Sequence, residues 1–252
     1  MLVLVTGGTG TLGRVVVAEL LEAGQEVRVL SRRPKPSASN PAVRWQVGNL
    51  RTAEGLAEAV AGAGTIVHCA TGRGDLESTR HLIDAALTRG APHLSYISIV
   101  GVDKVPFAYY RSKLATERLI AGSGLPWSTL RTTQFHNLVL RACESLAKPP
   151  LMFVPAGLRF QPIEVTEVAA RLVEIAVGGP AGRVPDVGGP QVRSARGLAL
   201  SYLEASGRHR PVASVRLPGK TFAAFGRGAH LAPERAVGRI TFEEFLTRQP
   251  LA

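Results

Sequence analysis

The stretch that most constrains this chain is Leu2–Gly13, which reads Leu-Val-Leu-Val-Thr-Gly-Gly-Thr-Gly-Thr-Leu-Gly. Four apolar residues in a row indicate a strand buried on both faces, and Thr6–Gly13 then leads straight into a helix read over Arg14–Ala23. Gly7, Gly10 and Gly13 fall at G-x-x-G-x-x-G spacing. In a strand–turn–helix unit the first such glycine allows the tight turn. The second lets the backbone approach a pyrophosphate, and the third packs helix against strand. Free amides at the positive end of the helix dipole then hold phosphate oxygens. Glycine loops also serve plain strand-to-helix turns. The preceding strand and the apolar-periodic helix that follows make this one a dinucleotide site, with Thr6, Gly7, Thr9, Gly10, Thr11, Leu12 and Gly13 as its expected contacts.

A second strand, Glu26–Leu30, ends in Ser31-Arg32-Arg33-Pro34. In a dinucleotide fold this is where the adenosine ribose lies. A carboxylate there accepts from the 2′-hydroxyl of NAD, whereas arginine suits the 2′-phosphate of NADP. Ser31, Arg32 and Arg33 with no carboxylate beside them point to NADP(H); the alternative is two solvated loop arginines. A Pro/Ser/Asn loop over 35–41 leads to a strand at Val43–Val47, then Asn49 and Leu50, and a helix from a Thr52 cap through Val60. The strand Thr65–Cys69 ends at Ala70, Thr71 and Gly72, small residues where a cofactor can run close to the backbone. A helix over Leu76–Arg89 and a strand over His93–Ile99 follow. Strands alternating with helices, joined by right-handed crossovers, give an α/β fold: a Rossmann-like doubly wound parallel sheet.

A second chemical motif follows. Tyr109 and Lys113 stand at i and i+4 at the start of a helix, on one face, in a chain with four tyrosines and five lysines. A phenol of pKa ~10 is a poor proton donor near neutrality until an adjacent ammonium lowers it. Such a lysine also suits the nicotinamide ribose, and a serine hydroxyl can orient a carbonyl oxygen. The plain alternative is a surface tyrosine and a solvated lysine. His136 is one of six histidines, and none sits at metal-ligand spacing with carboxylates or cysteines, so no metal is expected.

Beyond Pro149-Pro150 the chain reads as short strands at Leu151–Val154 and Leu158–Pro162, then a helix Glu167–Val177 capped by Thr166. A strand at Arg183–Val187, a helix at Ala195–Ser206 and a strand at Val212–Leu217 follow. A Thr241–Glu244 capping box opens the last helix. The division read from this is a cofactor-binding domain over 1–150 and a small C-terminal substrate lobe over 151–252, packed as one unit. Met152 and Phe153 are candidates to line a substrate cavity. The formal net charge is +11, yet the basic residues are spread along the chain and aromatics are sparse, which argues against a nucleic-acid partner. Cys69 and Cys143 form no C-x-x-C pair, and no apolar run is long enough for a bilayer. The expectation is a cytoplasmic protein without membrane partners, a monomer or weak homo-oligomer acting on a small molecule.

Thr6–Gly13, Arg32-Arg33, Ser98–Asp103, Tyr109–Lys113 and Leu130–His136 together resemble the atypical, NmrA-like branch of the short-chain dehydrogenase/reductase superfamily. The resemblance implies that Tyr109 and Lys113 match the superfamily's Tyr-x-x-x-Lys pair and that Ser98 is the nearest match to its serine, with Ser95 the alternative. Tyr110 is the alternative to Tyr109 as the residue facing the pocket. It also implies that the segment after the strand ending at Leu130 walls the nicotinamide and substrate side, through Thr132, Thr133, Phe135 and His136. The activity implied is hydride transfer from NADPH to a small, apolar carbonyl or quinone. A non-enzymatic NADP(H) redox sensor that signals through a protein partner and a sugar-nucleotide epimerase or dehydratase are the alternatives.

Overall fold

A computed structural model describes residues 1–36, 40–72 and 74–251. Residues 37–39 of the Pro/Ser/Asn loop lie outside the described residues. In chain order the first elements are β1 (Leu2–Thr6), α1 (Thr11–Glu22), β2 (Glu26–Ser31), β3 (Val43–Val47), α2 (Leu56–Val60), β4 (Thr65–His68), α3 (Asp75–Leu87) and β5 (His93–Ile99). Next come α4 (Ala108–Ala121), β6 (Trp127–Thr132), α5 (His136–Leu146), β7 (Met152–Pro155), β8 (Arg159–Phe160), α6 (Val165–Gly178) and β9 (Gly182–Arg183). The chain ends with β10 (Arg193–Ser194), α7 (Ala195–Ala205), β11 (Val212–Val215), α8 (Lys220–Gly226) and α9 (Phe242–Thr247). These elements form two compact units. One comprises Met1–Ser98, Arg111–Leu130 and Val168–Val184; the other comprises Ile99–Tyr110, Arg131–Glu167 and Pro185–Ala252.

The first unit is built on a seven-stranded parallel sheet in the order β3-β2-β1-β4-β5-β6-β9. Its central strands are apolar without alternation because helices cover both faces; every residue of β4 is buried, and so are Val3, Leu4 and Val5 of β1. Leu4, Ile66, Leu82, Leu94 and Ile120 meet in one core cluster. The strand order reverses at β1, which places the ligand crevice of such a sheet outside the carboxyl ends of β1 and β4. The register fixes what lies at that edge: Thr6 pairs with Leu30 on one side and His68 on the other, and His68 pairs with Tyr96.

Helix α1 starts at Thr11, three residues before the Arg14 read from the sequence, and the starts of α2 and α6 differ for a local reason. The helix expected from Thr52 begins at Leu56, because Asn49 folds the preceding residues into a turn. Its side chain accepts from Arg51 N, its own N–H donates to Glu54 O, and Ala53 and Gly55 take positive φ values of 63° and 70°. Thr166 is the second residue of α6 and not its cap; the Glu164 carboxylate accepts from Val165 N at 2.9 Å instead. The Arg28 guanidinium, reaching over from β2, donates to the carbonyls of Glu58, Ala59 and Ala61 and so satisfies the carboxyl end of α2.

The second unit is helical with two small sheets, β7 parallel to β11 and β8 antiparallel to β10. Its core joins Leu140, Met152, Leu198, Tyr202, Phe242 and Phe245. The Thr241–Glu244 capping box forms as read from the sequence, with the Thr241 hydroxyl accepting from Glu244 N and the Glu244 carboxylate accepting from Thr241 N. Among the described residues no helix is long and apolar enough to cross a membrane.

Candidate cofactor cradle and active site

The turn between β1 and α1 is shaped by glycine at each point where backbone meets backbone. Gly7 has φ +71°, and a Cβ there would lie 2.6 Å from Ala70 N; a Cβ on Gly13 would lie 2.1 Å from Gly7 O. Gly8, outside the three-glycine spacing, packs on β2: its Cβ would reach Val29 Cγ1 at 2.8 Å. Gly10 is different. It is exposed, and its Cβ would meet only Gly7 O, at 3.2 Å. A methyl at Gly10 would press on that one carbonyl alone, a milder clash than at Gly7, Gly8 or Gly13. Gly10, the N-cap residue, offers α1 no side chain, and no acidic residue stands in its first turn, so the positive end of the helix dipole suits an anion. A pyrophosphate fits this cradle by charge, by amide donors and by shape.

The other expected cofactor contacts of the first unit surround the same sheet edge. Ser31 ends β2 and its hydroxyl accepts from Arg33 N at 3.1 Å, while Arg32 and Arg33 are exposed. Asn49 and Leu50 follow β3, and Leu50 O bonds His81 Nδ1 at 2.8 Å. Ala70 N donates to Thr6 Oγ1 at 3.4 Å, and the Thr71 hydroxyl donates to Asp75 Oδ2 at 2.9 Å. Thr71 and Gly72 are exposed, as are Thr9 and Gly10.

Lys113, expected at the cofactor, is 3% exposed. Its Nζ donates to Ile97 O at 3.4 Å, stands 3.9 Å from Asp75 Oδ2 and lies 4.7 Å above the Tyr96 ring. Burial draws its pKa below the usual lysine range, against the opposing pull of Asp75. Tyr96 in turn stacks on the His68 ring at 5.5 Å. Asp75, His68 and Tyr96 did not stand out in the sequence. The signals they carried were a histidine ending an apolar strand and an acid opening a helix, both easily read as ordinary. Ser98, 1% exposed, and Ser95, fully buried, each hold a hydroxyl with no hydrogen-bond partner among the described residues.

The second unit holds the remaining candidates. Tyr109 is 36% exposed and Tyr110 is 6% exposed, though they are consecutive on α4. Tyr110 packs edge-on to Phe225 at 5.8 Å and tilted against Phe107 at 5.8 Å; burial pushes its phenol up to about 12, against a hydrogen bond from Gln134. Arg131 is buried and pairs with Asp103 at 3.2 Å. The Thr132 hydroxyl donates to Thr133 O, and Thr133 Oγ1 accepts from Gly189 N at 3.2 Å. Phe135 is partly buried and precedes α5. His136 is fully buried: its Nε2 bonds Ile240 O at 3.0 Å and its ring stacks on Phe245 at 5.1 Å. Met152 is fully buried in the core and Phe153 is 51% exposed, because successive strand residues point to opposite sides. The structure thus gathers the phosphate turn, Asn49, Thr71 and Lys113 in one unit, and the tyrosines, Thr132, Thr133, Phe135, His136, Met152 and Phe153 in the other.

The chain resembles known proteins over long stretches. It is 33% identical over 145 residues to the chloroplastic protein High Chlorophyll Fluorescence Phenotype 244 of Arabidopsis thaliana, covering 53% of this chain and 36% of that protein. It is 29% identical over 233 residues to the chloroplastic divinyl chlorophyllide a 8-vinyl-reductase of Oryza sativa subsp. indica, covering 80% of this chain and 56% of that protein. The chain therefore spans less than two thirds of the length of these curated relatives. Its fold matches that of an NADPH-dependent quinone oxidoreductase of Escherichia coli crystallised with NADPH, at 17% identity and a TM-score of 0.85 over 97% of this chain and 98% of that one. Residues 7–145, more than half of the chain, match the NAD(P)H-binding family, and the chain belongs to it.

Proposed function

We propose that the protein is an NADPH-dependent reductase that passes hydride to a small, apolar carbonyl or quinone. The observation that carries the reading is Lys113: an ammonium 3% exposed, in the unit that holds the Gly7–Gly13 turn, one helical turn after Tyr109 along the continuous helix α4. Burying a charge is costly unless it is compensated, and Lys113 is met by the Asp75 carboxylate at 3.9 Å, with Glu117 also acting on it. That arrangement is better suited to holding a ribose and tuning a phenol than to stabilising the fold. The cofactor, when bound, supplies the hydride. Tyr109 would donate a proton to the substrate oxygen, and Lys113 would favour the phenolate that is left. Ser98 steadies that oxygen. Arg32 and Arg33, exposed directly after β2 with no acid at 31–34, support NADPH over NADH.

Steady-state NADPH oxidation against a panel of quinones and aldehydes tests the reading. Tyr109→Phe is expected to lower turnover on the best substrate by roughly 10²–10⁴-fold with NADPH affinity retained. Unchanged turnover would move the acid elsewhere. NADPH binding with no turnover on any member of the panel would contradict the reductase reading in favour of a redox sensor.

A further inference from the structure

The carboxyl edge of the sheet contains a closed circuit of contacts that joins Thr6 and Lys113 through residues the sequence motifs do not include. His68 Nδ1 lies 2.6 Å from Thr6 Oγ1, and His68 Nε2 lies 3.0 Å from Thr79 Oγ1. The Thr79 hydroxyl donates to Asp75 O at 2.7 Å. Its proton is therefore committed, and it can meet His68 only as an acceptor. Nε2 must then carry the imidazole proton, and Nδ1 must accept from the Thr6 hydroxyl. Thr6 Oγ1 in turn receives Ala70 N–H, the amide against which Gly7 is packed too closely for a Cβ. Every proton along Ala70–Thr6–His68–Thr79–Asp75 thus has one place. The circuit closes through the Asp75 carboxylate facing Lys113, Lys113 over Tyr96, and Tyr96 stacked on His68.

We propose that His68, as the neutral Nε2–H tautomer, is a positioning residue for NAD(P)H: it ties the phosphate-binding turn at Thr6–Gly7 to the start of α3 and, through Asp75, to the Lys113 ammonium. His68 is 2% exposed, so it does not touch the cofactor and acts through Thr6. A cationic His68 has no place in the circuit, since its added Nδ1–H would face the Thr6 hydroxyl proton and its charge would be repelled by Lys113. Burial, with Lys113 nearby, accordingly holds its pKa down at about 3. The inference rests on NAD(P)H binding alone and is independent of the reductase reading.

Two amide replacements separate the two halves of the link. His68→Gln keeps a donor near the Nε2 position, toward Thr79, and abandons Thr6; His68→Asn keeps an acceptor near the Nδ1 position, toward Thr6, and abandons Thr79. NADPH titrations of the full chain should show binding weakened roughly tenfold by both replacements, since a tie released at either end no longer holds the turn, with both variants losing thermal stability. A purely structural histidine would lower the melting temperature of both and leave both affinities at the parent level; a parent-level affinity in either variant overturns the proposal. Nitrogen-15 spectra of the parent protein near neutral pH test it without any variant: an Nε2–H imidazole is expected, and an Nδ1–H tautomer or an imidazolium overturns it.

Discussion

At the scale of residues, the three glycines of the first turn do different jobs, and the structure separates them. Gly13→Ala would drive a methyl into Gly7 O, from 2.1 Å, against backbone that cannot step aside. It is expected to cost about 1–3 kcal/mol of stability. Gly10→Ala meets one backbone oxygen at 3.2 Å and should cost under ~1 kcal/mol, chiefly as a poorer helix cap, while weakening NADPH binding where the cofactor approaches. Denaturant titrations and NADPH titrations on the two variants check this, and a Gly10 variant less stable than the Gly13 variant would contradict it. The spacing of Gly7, Gly10 and Gly13 was legible because it records a backbone shape. Gly8 was not, since its need arises from Val29 on the next strand. The His68–Asp75–Lys113 circuit was illegible for a related reason: its members meet only because Thr6, His68 and Tyr96 are brought level by the register of three strands.

At the scale of elements, what was local in the chain was legible and what came from a neighbour was not. The strands at Val43–Val47 and His93–Ile99 fall where apolar content places them, and the Thr241–Glu244 box forms because both partners sit within one helical turn. The start of α2 departs from the sequence reading because the Asn49 side chain organises a turn that competes with the helix Thr52 would otherwise open. The carboxyl end of α2 is closed by Arg28 from β2, some thirty residues upstream, which no local pattern announces. α4 is the element on which the functional reading turns. It carries Tyr109, Tyr110 and Lys113 within two turns, with exposures of 36%, 6% and 3%. The sequence gives their spacing on one helix; only the structure tells which of the two tyrosines is accessible.

At the scale of the whole molecule, the buried histidines make stability depend on pH. His68, His93, His136 and His230 are all held below the usual histidine value, each first by burial. A base whose folded pKa is lower than its unfolded pKa binds fewer protons in the fold. Its contribution is complete above the unfolded value of 6.5 and is lost as pH falls from there toward the folded value. For His68, with a folded value of about 3, the loss by pH 5 is on the order of 2 kcal/mol. Urea midpoints should therefore fall steadily from pH 7.5 to pH 5, and a flat profile would contradict the burial of neutral imidazoles. The formal charge of +11 bears on ligands in a simpler way, by drawing anions toward the protein. NAD(P)H is such an anion, and the Gly7–Gly13 turn with Arg32-Arg33 is expected to select its 2′-phosphorylated form. Calorimetric titration with NADPH and NADH tests it most directly: NADPH is expected to bind at least roughly tenfold tighter, with the difference erased in the Arg32→Ala, Arg33→Ala double variant. Equal affinities in the parent protein, or a preference that survives loss of both arginines, would contradict the account.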